Sequence, residues 1–319
     1  MKKVRTYARI MKETLKRWFD RDPFRSSTVI AYYSLFSLPG LLIVLITALG
    51  YVYGTDQVTD KIITQIQGVV GSKVANDVRA IATEAAALED NTFAYIVGIA
   101  AIIFGATGVF YHIQQSLNVI WEVKPKPKQR FLKLLRDRLF SFGIILAIGF
   151  LLLISLAVST LITALSEWVT RTVSESLRIL FHAIDIILSL GIITVLFAAI
   201  YKFLPDVKIA WRHVWGGAII TSLLFVIAKF ALGLYFGLND PGSAYGAAGS
   251  IILILLWSSY SGMILLFGAE FTHVHTMHTS EVVEISDFAM PMHDETELTY
   301  RHVDDDAQEG KEKPISESQ

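Results

Sequence analysis

Residues 245–271 read YGAAGSIILILLWSSYSGMILLFGAEF, and no charge interrupts them before Glu270. About 20 apolar residues, each rising about 1.5 Å, cross a hydrocarbon core of ~30 Å, so this stretch is a spanning helix. It is not uniformly greasy. Gly246, Ala247, Ala248, Gly249 and Ser250 form a small-residue patch that lets another helix approach closely. Ser258, Ser259, Tyr260 and Ser261 place hydroxyls near mid-membrane, where a helix facing only lipid has no use for them. The same apolar theme recurs five more times, which makes the chain an all-α, polytopic membrane bundle.

Composition agrees. The 319 residues are 53% hydrophobic and 18% charged, with a mean hydropathy of +0.50. That is more apolar and less charged than a soluble domain. With no Cys, disulfides, thiolate metal sites and Cys nucleophiles are excluded. The net charge of −1 hides an asymmetry: residues 272–319 hold 12 acidic and 3 basic residues, against 17 and 25 in the remainder. A basic membrane body carries an acidic tail. The first apolar run starts near Thr28 after a long basic segment and is too long for a signal-peptide core, so no cleaved leader is expected.

In chain order, residues 1–27 read as a basic amphipathic segment with Val4, Tyr7, Met11, Leu15 and Trp18 on one helical face. Such a helix lies in the headgroup layer, or packs as an ordinary surface helix. Asp22-Pro23 ends it. The first span, about 28–53, contains Pro39 near its middle, so a kink or break is expected; breaks of this kind build substrate sites in transporters, and simple kinks are common too. Residues 55–90 are too charged to span and read as an amphipathic helical cap outside the cytoplasm. The second span, about 92–120, ends in a stripe of Thr107, Tyr111, Gln115, Asn118 and Glu122 at spacings of three and four. The stripe is either interhelical glue or the lining of a polar groove. Residues 123–138 form a basic loop, read as a topology signal rather than a nucleic-acid site. Further spans fall at about 139–163, 179–203, 213–237 and 245–271, with a Gly233-x-x-x-Gly237 spacing that favours close contact in the fifth. The tail, 272–319, is expected to be acidic and largely disordered, beyond about 285 above all; its His273, His275 and His278 are not read as a metal site. The loops on the side of the termini carry 19 Lys and Arg and those on the other side five. Both termini are therefore expected in the cytoplasm.

Ionisable groups inside spans have partners or roles. Asp185 and Lys229 fall about 9 and about 12 Å inside the outer face at 1.5 Å per residue and are expected to pair. Glu270 lies near the cytoplasmic face, where Arg212 and His213 are the expected partners.

The chain resembles the YihY/BrkB family of bacterial inner-membrane proteins. The resemblance rests on Asp22-Pro23, Ala31-Tyr32-Tyr33-Ser34-Leu35-Phe36-Ser37-Leu38-Pro39, Leu117-Asn118-Val119-Ile120-Trp121, Leu204-Pro205 with Trp211 and Gly217, Tyr245 to Ser250, and Leu266 to Glu270. It covers about residues 10–272. It implies six spans, a cytoplasmic N-terminus and the bacterial plasma membrane. The family has carried ribonuclease and virulence labels, and some members are linked to envelope lipid handling; no catalytic residues carry over.

The residues support a transporter or translocation facilitator for a lipid or other amphiphile, with Tyr33, Ser37, Pro39, Tyr111, Gln115, Asn118 and Ser259 as candidate pathway residues. The expected partners are membrane lipids, anionic ones first because of the basic rim, and an envelope protein; no nucleic acid and no cofactor is expected. A non-transporting envelope scaffold is the alternative. A nuclease is disfavoured because His112, His182 and His213 are single and widely separated in the body and no dense Asp/His motif occurs. There is no GxxxxGK[ST] loop, so energy for transport would come from a gradient or another protein.

Overall fold

The computed structural model describes residues 2–70, 72–86, 108–126, 143, 177–239, 248–279, 283–286 and 289–292. Helix α1 spans Lys2–Asp20, α2 Pro23–Tyr53, α3 Thr55–Val70 and α4 Ser72–Ala86. Residues 108–120 are helical and are called α5. Strand β1 is Val123–Pro125, α6 is Leu177–Phe203, β2 is Val207–Lys208, α7 is Trp211–Asn239 and α8 is Gly249–His278. Two short strands follow, β3 at Glu284–Ile285 and β4 at Ala289–Pro291. The expected third span, the first half of the second, the basic loop past residue 126 and the tail past residue 292 lie outside the described residues.

Three of these helices are long and apolar enough to cross a membrane: Ile186–Phe203 in α6, Trp211–Phe236 in α7 and Gly249–His278 in α8. Helix α8 is the hub, packing against α2, α7 and α1. Helix α2 runs unbroken from Pro23 to Tyr53, so the expected break at Pro39 does not occur. Proline removes one helical donor, and neighbouring groups can absorb that loss. Two residues earlier the Ser37 hydroxyl donates to the Ser34 carbonyl at 3.1 Å.

Close approach of α7 and α8 depends on two glycines. A Cβ at Gly217 would sit 2.7 Å from the Gly268 carbonyl and collide with the Thr272 hydroxyl; one at Gly268 would collide with Thr221 and the Tyr201 hydroxyl. The space is taken by hydrogen bonds. Tyr201 Oη donates to the Leu265 carbonyl at 2.8 Å and lies 2.8 Å from the Thr221 hydroxyl, which itself reaches the Gly217 carbonyl. Gly233, by contrast, has nothing within 4 Å among the described residues, so the Gly233-x-x-x-Gly237 spacing is not what brings these helices together. Around the glycines lies the main core, including Leu117, Ala198, Leu204, Ile209, Val214, Ala218 and Ala269. Helices α3 and α4 pair with each other and pack a second cluster, Ile63, Val74, Ala75 and Val78, onto Leu253 near the start of α8.

At the opposite end, α1 lays Ile10 against Phe271 and Val274 of α8 and keeps Tyr7, Leu15 and Phe19 exposed. It is thus both a packed helix and one with an apolar edge.

The tail boundary expected at 272 falls inside α8, which continues to His278. Residues 283–286 and 289–292 then form a strap. β3 pairs antiparallel with β2, and β4 with β1. The Met292 amide donates to the Glu122 carbonyl at 2.7 Å, Lys124 Nζ to the Met292 carbonyl at 3.0 Å, and the Ser286 amide to the Asp206 carbonyl at 3.0 Å. Ala289 is buried. The loops after α5 and α6 each expose a strand edge, and an edge recruits a partner strand. That is why the chain is ordered past residue 285.

Beneath the strap, Asp206 locks α5 to the turn after α6. Asn118 Nδ2 donates to Asp206 Oδ2 at 2.7 Å, the Asp206 amide donates to Asn118 Oδ1 at 2.8 Å, and Gln114 Nε2 reaches Asp206 Oδ1 at 3.4 Å. Asp206 and Asn118 are both buried.

Two outcomes test this packing. Gly217→Ala and Gly268→Ala should each lower stability in detergent by about 1–3 kcal/mol, the range for overpacking a filled interior, while Gly233→Ala should leave the melting temperature unchanged. Asn118→Ala and Asp206→Ala should each cost about 1–3 kcal/mol for the buried partner left unsatisfied. Their double mutant should cost far less than the sum, because one interaction is lost twice; strict additivity in melting experiments would refute the clamp.

Candidate functional site

A cleft of about 290 Å³ opens where α1 turns into α2, next to α5 and the last third of α8. Asp22 and Pro23 create it. Arg21 and Asp22 separate the two helices, Asp22 sits at φ 49°, and Pro23 starts α2, a position where proline loses no hydrogen bond. The Asp22 carboxylate accepts the Arg25 amide at 3.3 Å, holding the first turn of α2.

The walls are mixed. Trp18, Val29, Val119, Ile120 and Leu266 supply apolar surface; Arg21, Asp22, Arg25, Ser26, His112, Gln115, Ser116 and Glu270 supply polar groups. Trp18 is fixed edge-on against Phe267, with ring centroids 5.8 Å apart.

Arg21 organises the cleft. Its Nη1 donates to the Val119 carbonyl at 2.6 Å and its Nη2 to Glu122 Oε1 at 2.8 Å. Val119 and Glu122 lie at the end of α5, where carbonyls lack helical partners and the dipole is negative. Arg21 Nε lies 3.5 Å from Glu270 Oε2. Glu270 is only 1% exposed, yet among the described residues neither carboxylate oxygen has a hydrogen bond; His273 Nδ1, 3.6 Å from Oε1, has none either. Arg25 is exposed and also lines the cleft, and its guanidinium has no partner among the described residues.

Glu270 therefore pairs with Arg21 and lies beside His273, not beside Arg212 and His213. The reason is azimuth rather than depth. Gly268 and Thr272 face α7 through Gly217, and a residue two positions from each is turned about 200° away at 100° per residue. Glu270 thus looks toward α1 and α2. His213 meets a later turn of α8, with Thr279 Oγ1 3.5 Å from its Nδ1.

The stripe on α5 divides. Gln115 is exposed, bonds the Tyr111 hydroxyl at 2.6 Å and lines the cleft, whereas Asn118 is buried in the Asp206 clamp. The Tyr33 ring stacks on His112 with centroids 3.6 Å apart. Ser37 is buried. Ser259 Oγ lies 3.4 Å from Ser27 Oγ on α2. Gln115 is thus the candidate residue that lines the cleft; Tyr33 and Tyr111 adjoin it through His112 and Gln115. The side chains of Pro39 and Asp185 lie outside the described residues, and with Asp185 the expected pair to Lys229, which is half-buried on α7. Arg21, Arg25 and Ser26 were not singled out from sequence, although the Asp22-Pro23 break marks the elbow that carries them. His273, His275 and His278 belong to α8, and no three His, Asp or Glu side chains among the described residues form a metal-holding group.

Comparison with known proteins places the chain. A UPF0761 membrane protein of Verminephrobacter eiseniae is 29% identical over 180 residues, covering 56% of this chain and 40% of that protein. One from Azotobacter vinelandii is 26% identical over 261 residues, covering 79% of this chain and 59% of the relative. One from Pseudomonas aeruginosa is 32% identical over 176 residues, covering 54% and 40%. The chain thus spans well under two thirds of the length of these relatives. No solved structure matches. The profile of the family described as "Virulence factor BrkB" matches residues 14–288, taking in the elbow, the cleft and most of the strap, and this membrane protein belongs to that family.

Proposed function

We propose that the protein facilitates movement of a lipid or other amphiphile across the bacterial plasma membrane. In this reading the chain crosses six times, with α1, the cleft and the strap on the cytoplasmic side and α3 and α4 capping the outer side. The positive-inside asymmetry supports that orientation. The observation that carries the function is the cleft itself. It combines apolar walls with charged groups at the end of an apolar helix bundle, about two turns from the end of α8, where headgroups lie. A ligand that is part hydrocarbon and part charge matches both kinds of wall. The exposed apolar edge of α1 beside it suits a helix resting in the headgroup layer.

A scaffold remains the second reading, favoured by a specific observation. Asn118, Gln114 and Ser37, polar residues at membrane depth or near it, are spent on buried hydrogen bonds within the protein. These bonds leave the cleft walls untouched, so they weigh against a wide path through the core rather than against a path along α2 and α5.

Reconstitution into liposomes separates the two. With a headgroup-labelled lipid and an impermeant quencher, the wild type should accelerate exchange between leaflets, with or without an imposed potential. Val29→Trp, which fills the cleft from the α2 wall, should slow it several-fold, while Ile227→Trp on the exposed face of α7 should not. Folded protein that moves no lipid above empty liposomes, or a filled cleft that moves it as fast, would overturn the proposal.

A further inference from the structure

The cleft's charges say which headgroup it takes. Its lining carries two cations, Arg21 and Arg25, and two anions, Asp22 and Glu270. A site for a singly anionic headgroup should carry excess positive charge; this one is balanced. Arg21 is already committed to Val119 and Glu122. Arg25, whose guanidinium has no partner among the described residues, and Ser26 both line the cleft from the first turn of α2. On α8 the cleft is lined by Glu270, which is buried, 3.5 Å from Arg21 Nε, and has no hydrogen bond to either oxygen among the described residues. A buried carboxylate in that condition is costly unless donors reach it. A primary ammonium brings three N–H donors and the opposite charge; a quaternary ammonium brings charge and no donor.

We propose that the cleft binds the headgroup of an aminophospholipid, with Arg25 and Ser26 holding the phosphate and Glu270 taking the primary ammonium. The proposal rests on the reading that the cleft faces lipid, and it replaces the anionic lipid expected from the basic rim with a zwitterionic one. Trp18, Val29 and Val119 line the walls against which the glycerol and upper chains would lie.

The test is lipid retention by the full chain, measured by native mass spectrometry with matched-chain phosphatidylethanolamine, phosphatidylglycerol and phosphatidylcholine. Phosphatidylethanolamine should be retained several-fold better than either other lipid. Arg25→Ala, a change at an exposed side chain, should weaken it several-fold. Glu270→Gln should remove the preference over phosphatidylcholine. Should Glu270→Gln fail to fold, Arg25→Ala and the wild-type lipid ranking decide the matter. Glycerophosphoethanolamine, the same headgroup without chains, should compete only at much higher concentration; equal potency would overturn the lipid assignment. Equal retention of phosphatidylglycerol and phosphatidylethanolamine, or an Arg25→Ala protein that retains the latter unchanged, would overturn the proposal. Selective retention without leaflet exchange would sink translocation and leave the site standing. Exchange without selectivity would do the reverse.

Discussion

Arg21 is the pin on which one end of the molecule turns. It stands at the joint between α1 and α2, and its planar guanidinium meets three elements at once: the α5 terminus through Val119, the following turn through Glu122 and the buried carboxylate of α8 through Glu270. A lysine could not do this, because a point ammonium lacks the fixed fork of donors. Glu122, at φ 55°, is held in a conformation that non-glycine residues rarely adopt. The ion pair to Arg21 helps offset that strain. Because the fork faces both Glu122 and Glu270, the two good hydrogen bonds go to the α5 end, and Glu270 keeps a longer, weaker contact. Incomplete satisfaction of Glu270 follows from this geometry.

The polar groups around the end of α5 and the cleft fall into two classes. Around Asp206 the contacts reinforce one another: Asn118 and Asp206 exchange two hydrogen bonds, and the strap's Ser286 amide bonds the Asp206 carbonyl. Such a network fixes α5 against the turn after α6. Around Glu270 the contacts are long and one-sided. The first arrangement builds the frame; the second leaves Glu270 without a hydrogen bond among the described residues.

Much of the architecture was legible in sequence because apolar runs, prolines and charge asymmetry are local signals. The Asp22-Pro23 joint, the Leu204-Pro205 turn and the apolar character of α6, α7 and α8 all appear where those signals lie. The failures share one cause. Pairing Glu270 with Arg212 and His213 used depth alone, and depth is one coordinate of two: Gly217 against Gly268 fixes the rotation of α8 and turns Glu270 the other way. The strap was missed because acidic composition signals solvation, while Val207 and Val123, far away in sequence, supply the edges that order it. The α5 stripe was correctly seen as polar, but 3.6-fold periodicity cannot say that Asn118 points to Asp206 while Gln115 points to the cleft.

The position of the strap bears on how the cleft could work. Met292 bonds the Glu122 carbonyl, and the Glu122 side chain bonds Arg21, which contacts Glu270. The strap and the buried carboxylate are therefore joined through one residue in a strained backbone conformation. If a ligand ammonium displaced Arg21 from Glu270, the Arg21 to Glu122 contact would be the next to feel it, and through it the β1–β4 pairing. Coupling of this kind requires an element with two arrangements, and short two-stranded pairings are among the least stable elements of a fold. The strap and the cleft are thus joined by contiguous contacts through Glu122 and Arg21.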